Sequence, residues 1–128
     1  MPLAKVNGFE MYYETMGEGP PLVLAHGVGG NHAIWWQQVK YFAQWYQVIT
    51  FDHRGFALSV DVEGGPGRAA FVDDLEGLLD FLELDKVSLI AQSMGGRTCL
   101  GFAVHSPDRV NALVMAATTG FFEATGAL

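Results

Sequence analysis

Four short, almost wholly apolar runs recur along the chain, at residues 22–25 (Leu-Val-Leu-Ala), 48–51 (Val-Ile-Thr-Phe), 87–90 (Val-Ser-Leu-Ile) and 112–115 (Ala-Leu-Val-Met). Runs of this length without a period of two predict strands buried on both faces. Between them the period changes. Phe71, Leu75, Leu78, Leu79 and Leu82 share one helical stripe while Asp73, Asp74, Glu76 and Asp80 lie off it, which predicts an amphipathic helix with a solvated acidic face. Residues 31–44, rich in aromatics, read as another helix, and residues 94–105 as a third that ends before Ser106-Pro107. Ahead of all these, residues 4–6 and 9–15 flank Asn7-Gly8, a dipeptide suited to the positive φ of a two-residue hairpin turn. An antiparallel pair therefore opens the chain, and strand and helix alternate after it. That alternation predicts right-handed crossovers and a mostly parallel α/β sheet with helices on both faces. A ligand site is expected outside the carboxyl ends of the strands.

Composition narrows the picture without changing it. At 128 residues, 1–128 reads as a single domain with a real core, and no repeat, linker or low-complexity tract divides it. Counting Gly in place of Tyr raises the apolar share from 50% to roughly 59%, above the usual 45 to 50%. So apolar a short chain is expected to leave surface for a partner. The net charge of -7, with only 7 scattered Lys and Arg, argues against a nucleic-acid partner. Cys99 has no second cysteine to pair with, and residues 1–14 lack a basic stretch followed by an apolar one. No run approaches the roughly 20 residues that span a bilayer, so neither membrane nor export is expected and the cytoplasm is the default location. No His, Cys and carboxylate spacing suggests a metal, and no cofactor is expected.

Two clusters carry candidate chemistry. The first, Ala91-Gln92-Ser93-Met94-Gly95-Gly96, stands where the run at 87–90 meets the third helix. A nucleophilic serine on a sharp strand-to-helix turn needs small residues two before and two after it, here Ala91 and Gly95. The helix behind Ser93 aims free N–H groups at the site, making the Met94 N–H the expected first oxyanion donor. The second cluster, His26-Gly27-Val28-Gly29-Gly30, follows the run at 22–25, and its glycines let backbone approach a substrate closely. The Val28 N–H is the natural second donor. A phosphate cradle is the competing reading, but the P-loop Lys and the full dinucleotide-binding spacing are both missing.

The Asn-Gly hairpin, His26-Gly27-Val28-Gly29-Gly30, Asp52-His53-Arg54-Gly55 and Ser93-Met94-Gly95-Gly96 together resemble the α/β-hydrolase superfamily in order and spacing, over nearly the whole chain. Within it the chain is most similar to small bacterial esterases, enol-lactonases and cofactor-free haloperoxidases. The resemblance implies a serine hydrolase acting on a small carboxylic ester or lactone through an acyl-enzyme. Serine rather than Asp at the turn speaks against the dehalogenase and epoxide hydrolase branches. Two positions depart from the family pattern: Ala91 replaces the usual Gly, and Ala57 falls where a second Gly follows Asp-x-Arg-Gly, which is expected to reshape that loop.

The family's fold continues past the strand at 111–116 with a cap, an acid-bearing strand and a histidine-bearing strand, for which these 128 residues leave no room. Without a positioned base the Ser93 hydroxyl is a poor nucleophile, so this chain alone is expected to be nearly inert. A non-catalytic binding or interaction module built on the same fold is the alternative. His26 and His53 sit at strand ends and read as props for their loops, with a role as base the competing reading. His105 lies roughly 18 Å along the helix from Ser93 and is too far to serve. The candidate substrate-lining residues are His26, Gly27, His32, Trp35, Trp36, Phe56, Gln92 and Phe121, although aromatics at helical spacing also suit ordinary core. The strand near 112–117 would end the sheet as an exposed edge, which predicts a homodimer or association with the missing C-terminal portion.

Overall fold

A computed structural model of the chain describes residues 2–118. Strands β1 (Leu3–Val6) and β2 (Phe9–Met16) form the opening hairpin, followed by β3 (Pro21–Ala25). A 3-10 turn, His32–Trp35, runs into α1 (Trp36–Phe42) and then β4 (Gln47–Phe51). A second such turn, Gly67–Ala70, leads into α2 (Phe71–Phe81), then β5 (Val87–Gln92), α3 (Gly95–His105) and β6 (Val110–Ala116).

The hairpin register sets Val6 opposite Phe9, and Asn7 and Gly8 both take positive φ, 46° and 87°. Asn-Gly tolerates that pair of conformations as few dipeptides do. The six strands are ordered β1-β2-β4-β3-β5-β6. β2 joins β4 antiparallel, and β4, β3, β5 and β6 run parallel. From β3 the chain goes to β4 on one side and later returns to β5 on the other. The crevice at the carboxyl ends of β3 and β5 is therefore the point where the strand order reverses, the place such sheets offer a ligand.

On one face α2 and α3 cover Val23, Ile49, Leu89 and Ala91 with Leu75, Leu78, Leu79, Cys99 and Phe102. On the other, Trp35 packs with Leu22, Leu24 and Val48 against α1. Cys99 is fully buried, and burial pushes its thiol pKa up to about 12.

Three expectations need correction. The helix expected over 31–44 is broken: Asn31 caps a 3-10 turn by accepting from the Ala33 N–H at 2.7 Å, and the α-helix spans only Trp36–Phe42. The fourth apolar run is not buried on both faces, since Asn111, Ala112 and Val114 are exposed in β6. It has one strand neighbour, β5, and among the described residues its second face is open. The acidic face of α2 is not wholly solvated either, because Asp74 is only 1% exposed.

Asp74 turns inward to meet Arg54, itself buried. Arg54 Nε and Nη2 donate to the two Asp74 oxygens at 2.8 and 2.9 Å, and Nη1 donates to Asp61 at 2.9 Å. The remaining Nη2 hydrogen reaches the Asn7 carbonyl at 3.2 Å, while the Asn7 amide donates to Asp74. Hydrogen bonding to Asp74 holds the guanidinium charged beyond its ordinary range. One bidentate pair thus ties hairpin, β4 and α2 together. Beside it, Ala57 keeps a φ of +46° and the loop stays closed by Gly55 N–H to Ser59 O at 2.7 Å. Ala57 therefore adopts the left-handed conformation that glycine takes freely, at the steric cost of about 1 kcal/mol that a Cβ incurs there.

A second buried polar chain sets the strand ends. His26 Nδ1–H donates to the Gly27 carbonyl at 2.8 Å, and the His53 N–H donates to His26 Nε2 at 2.9 Å. His53 Nδ1 also faces His26 Nε2, at 3.2 Å, and His53 Nε2 lies 2.9 Å from the Thr98 hydroxyl. Because His26 Nε2 only accepts, the proton of His53 belongs on Nδ1 and the Thr98 hydroxyl donates to its Nε2. Both rings are neutral. Burial lowers both pKa values, that of His53 well below the ordinary range, with His26 and the Arg68 charge opposing its protonation further.

Two predictions follow from these ties. Asp74→Ala leaves the Arg54 charge buried with half its partners gone and is expected to cost about 3 to 5 kcal/mol in urea unfolding. The neutral histidines make stability fall on the acid side. The unfolded chain takes up protons near pH 6.5 and the fold does not, so between pH 7.5 and 5.5 each histidine removes up to about 1.4 kcal/mol. Unfolding midpoints measured across that window are expected to drop, and His53→Gln is expected to flatten the slope by about half.

Candidate active site

β5 ends at Gln92 and α3 begins at Gly95, so two residues turn the chain from strand to helix. Ser93 takes a φ of +51°, a left-handed conformation that a residue with a Cβ adopts only when its surroundings force it. Those surroundings are identifiable. The Ser93 N–H donates to Ala116 O at 3.2 Å, at the end of β6, and Ser93 O accepts from the Gly96 N–H at 2.8 Å. A Cβ on Gly95 would stand 2.3 Å from Ala25 O, and one on Gly96 would stand 2.4 Å from Thr118 Oγ1. The first turn of α3 is wedged against the end of β3, where backbone leaves room only for glycine at position 95, while Gly96 is crowded by the Thr118 and Met115 side chains. Ser93 itself is exposed, so the strained residue stands on the outside of the bend.

The loop after β3 closes over this bend. A Cβ on Gly27 would lie 2.8 Å from Ser93 Cβ and 3.0 Å from Gln92 Oε1, so backbone here touches the serine directly. The Gly30 N–H donates to Gly27 O at 3.1 Å, with Gly29 at φ +80° as a type II turn requires at its third residue. Gly27 O thus accepts both this bond and the one from His26 Nδ1–H. In a trans peptide the C=O and the next N–H point in opposite directions. With the carbonyl held on the His26 side, the Val28 N–H is turned the other way. Among the described residues neither the Val28 nor the Met94 N–H meets a backbone acceptor.

Of the candidate lining residues, Gly27 and Gln92 are brought against Ser93. The others are not. His26 is fully buried and serves the glycine loop and His53. Trp35 is core on the α1 face, and Trp36, 65% exposed, points to solvent. His32 is clamped by Asp52, which accepts from its N–H at 2.7 Å and its Nδ1–H at 2.9 Å, with Glu14 Oε2 3.4 Å from Nε2. Its ring also packs on Tyr12 at 4.7 Å. Phe56 fills space between His26 and Phe71, at 5.4 and 6.3 Å. Phe121 lies outside the described residues. Aromatic spacing alone did not separate core from pocket, because the 3-10 turn rotates Trp35 inward and Trp36 outward.

Sequence reasoning missed one feature, a cavity of about 280 Å³ between the starts of α2 and α3, bounded by Arg68, Phe71, Val72, Met94, Arg97 and Thr98. The spacing of Met94, Arg97, Thr98 and Gly101 on one helical face was the available signal. Among the described residues no cluster of His, Cys, Asp and Glu is arranged to hold a metal ion, and no helix is long and apolar enough to cross a membrane.

Comparison with known proteins agrees with this geometry. The α/β hydrolase fold family matches residues 20–126. The chain is 37% identical over 127 residues to a 2-hydroxy-6-oxo-2,4-heptadienoate hydrolase of Pseudomonas putida, covering 95% of the chain and 46% of that protein. It is 36% identical over 121 residues to an (E)-2-((N-methylformamido)methylene)succinate hydrolase of Acinetobacter baylyi, covering 94% and 45%. Among solved structures, an epoxide hydrolase, CorEH, superposes with a TM-score of 0.92 at 30% identity, over 99% of the chain and 45% of that protein. The chain spans slightly under half the length of these relatives. With the strand order, the strained serine turn and the glycine loop all in place, the chain belongs to the α/β-hydrolase fold family.

Proposed function

We propose that this chain carries the nucleophile of a serine hydrolase that cleaves small carboxylic esters or lactones through an acyl-enzyme. The observation that carries the reading is the exposed, left-handed Ser93 with the Gly27 backbone packed against its Cβ. Ser93 Oγ attacks the acyl carbon, and its proton passes to a base. The Met94 and Val28 N–H groups receive the negative charge that develops on the carbonyl oxygen. The alcohol leaves with a proton, and water then releases the acid and restores Ser93.

The base is the part that residues 2–118 do not provide. His26 and His53 have committed their nitrogens, His32 is held by Asp52 and Glu14, and His105 closes α3 three turns from Ser93. We therefore assign base and acid to a further portion of the fold, in keeping with the longer relatives. Those relatives are named for hydrolysis of a methylenesuccinate and a heptadienoate, which supports small acyl substrates. Cytoplasmic residence belongs to the same proposal and is supported by a lone, sealed thiol.

The open edge of β6 is proposed to pair either with that further portion or with a second copy. Its exposed Ala112 and Val114, beside half-buried Ile90, support this. Sedimentation of the chain alone is expected to give a dimer, and a clean monomer at micromolar concentration counts against pairing between copies.

Ser93-dependent chemistry has a direct test. A fluorophosphonate probe is expected to label the chain slowly, and Ser93→Ala to abolish the label. Gly27→Ala, which forces a Cβ to 2.8 Å from Ser93 Cβ, is expected to cut labelling at least tenfold. Absence of any label on the folded wild-type chain would favour a non-catalytic binding module instead.

A further inference from the structure

His32 stands two residues after Gly30, at the far end of the glycine loop, and both nitrogens of its ring face carboxylates. On one side Asp52 Oδ1 lies 2.9 Å from Nδ1 and also accepts the His32 backbone N–H at 2.7 Å. On the other, Glu14 Oε2 lies 3.4 Å from Nε2. A neutral imidazole has one N–H and one lone pair and can serve only one of these carboxylates, whereas the imidazolium serves both. The arrangement is complete only when the ring carries its second proton.

Both carboxylates are held in advance. Asp52 is fully buried, and its other oxygen accepts from the Leu58 N–H at 3.1 Å. The Glu14 side chain is 49% exposed, but the Tyr12 hydroxyl donates to the same oxygen that faces His32. Tyr12 and Glu14 are two apart in β2 and so share a face of the sheet. The bond to Glu14 pushes the Tyr12 pKa up to about 12, which keeps its hydroxyl a donor wherever a histidine titrates. At the end of β3, burial is the main reason that His26 stays neutral, and a charge on His32 opposes its protonation further. The neutral form of His26 is the one that holds Gly27 O. Among the described residues Tyr12, Glu14, Asp52 and His26 are the titratable groups that face the His32 ring.

We propose that His32 and Glu14 are positioning residues for the Val28 N–H, with His32 acting as a proton-operated clasp on the far end of the glycine loop. This rests on the reading of Ser93 as nucleophile. His26 pins the near end of the loop through Gly27 O, and the Gly30 N–H closes the turn onto the same oxygen. Asn31 and His32 come next, so a tie from the ring to β2 limits how far Gly29 and Gly30 swing. When the ring loses its second proton, the tie to Asp52 remains and the tie to β2 lapses.

Loop geometry and nucleophile reactivity are read separately. Amide shifts of Val28 and Gly29 are followed against pH beside the Cε1–H of His32. They are expected to move with the ring in wild type, to move less in Glu14→Gln, and to lose that transition in His32→Gln. In parallel, a fluorophosphonate is expected to label wild type about threefold faster than Glu14→Gln near pH 6, as suits a partly exposed ion pair, with the advantage shrinking as the pH rises. A purely structural Glu14 gives the same ratio at every pH, and that result overturns the clasp. Loop amides that ignore the ring's titration overturn it as well. Should His32→Gln fail to fold, Glu14→Gln, altered at a half-exposed side chain, carries both readouts. A loop that titrates with the ring in a chain that takes no label supports the clasp and removes the nucleophile. A label with a ratio independent of pH removes the clasp alone.

Discussion

Residue 27 and residue 93 approach so closely that no side chain fits between them, and the arrangement of the site follows from that contact. The approach is possible because Gly27 has no Cβ. It is useful because the peptide leaving Gly27 is pinned by two donors, His26 Nδ1–H and the Gly30 N–H, on one oxygen. Each bond is modest alone, but both act on the same planar unit, so the Val28 N–H inherits their direction. A buried histidine thereby sets the orientation of an amide it does not touch. The same logic holds on the other side of the bend, where Gly95 and Gly96 let α3 start against the ends of β3 and β6. Strain at Ser93 is held in place by neighbours on both flanks.

Much of this was legible in the residues. Asn7-Gly8 announced its hairpin because very few dipeptides accept positive φ twice in succession. The strand runs at 22–25, 48–51 and 87–90 lack polar alternation because each lies between other strands with both faces covered or nearly so. The serine turn was legible because its small neighbours have one economical explanation, that a helix must begin where two strands end. His26 and His53 also read correctly as loop props, although sequence gave no hint that they bond to each other.

What escaped the residues was mostly long-range and polar. Asp74 looks like its neighbours Asp73 and Glu76, and only the arrival of Arg54 from the loop after β4 distinguishes it. Helical periodicity reports which side of a helix is apolar; it does not report a guanidinium 20 residues earlier in the chain waiting to be matched. The aromatic stretch around Trp35 misled for a related reason, since a 3-10 turn has a different angular step from the α-helix assumed in reading it. Ala57 is a related case: its sequence identity does not announce the φ of +46° that it takes inside a loop closed by Gly55 N–H to Ser59 O.

Cys99, on the buried face of α3 against the sheet, has a practical consequence. A sulfur that no solvent reaches and that gives up its proton only near pH 12 does not compete for thiol reagents at neutral pH. A cysteine placed anywhere on the surface is then the sole reactive handle, with no need to engineer out the native one. Paired spectroscopic tags on the glycine loop and the α2 start would report directly how the distance between these two segments changes when a small molecule binds.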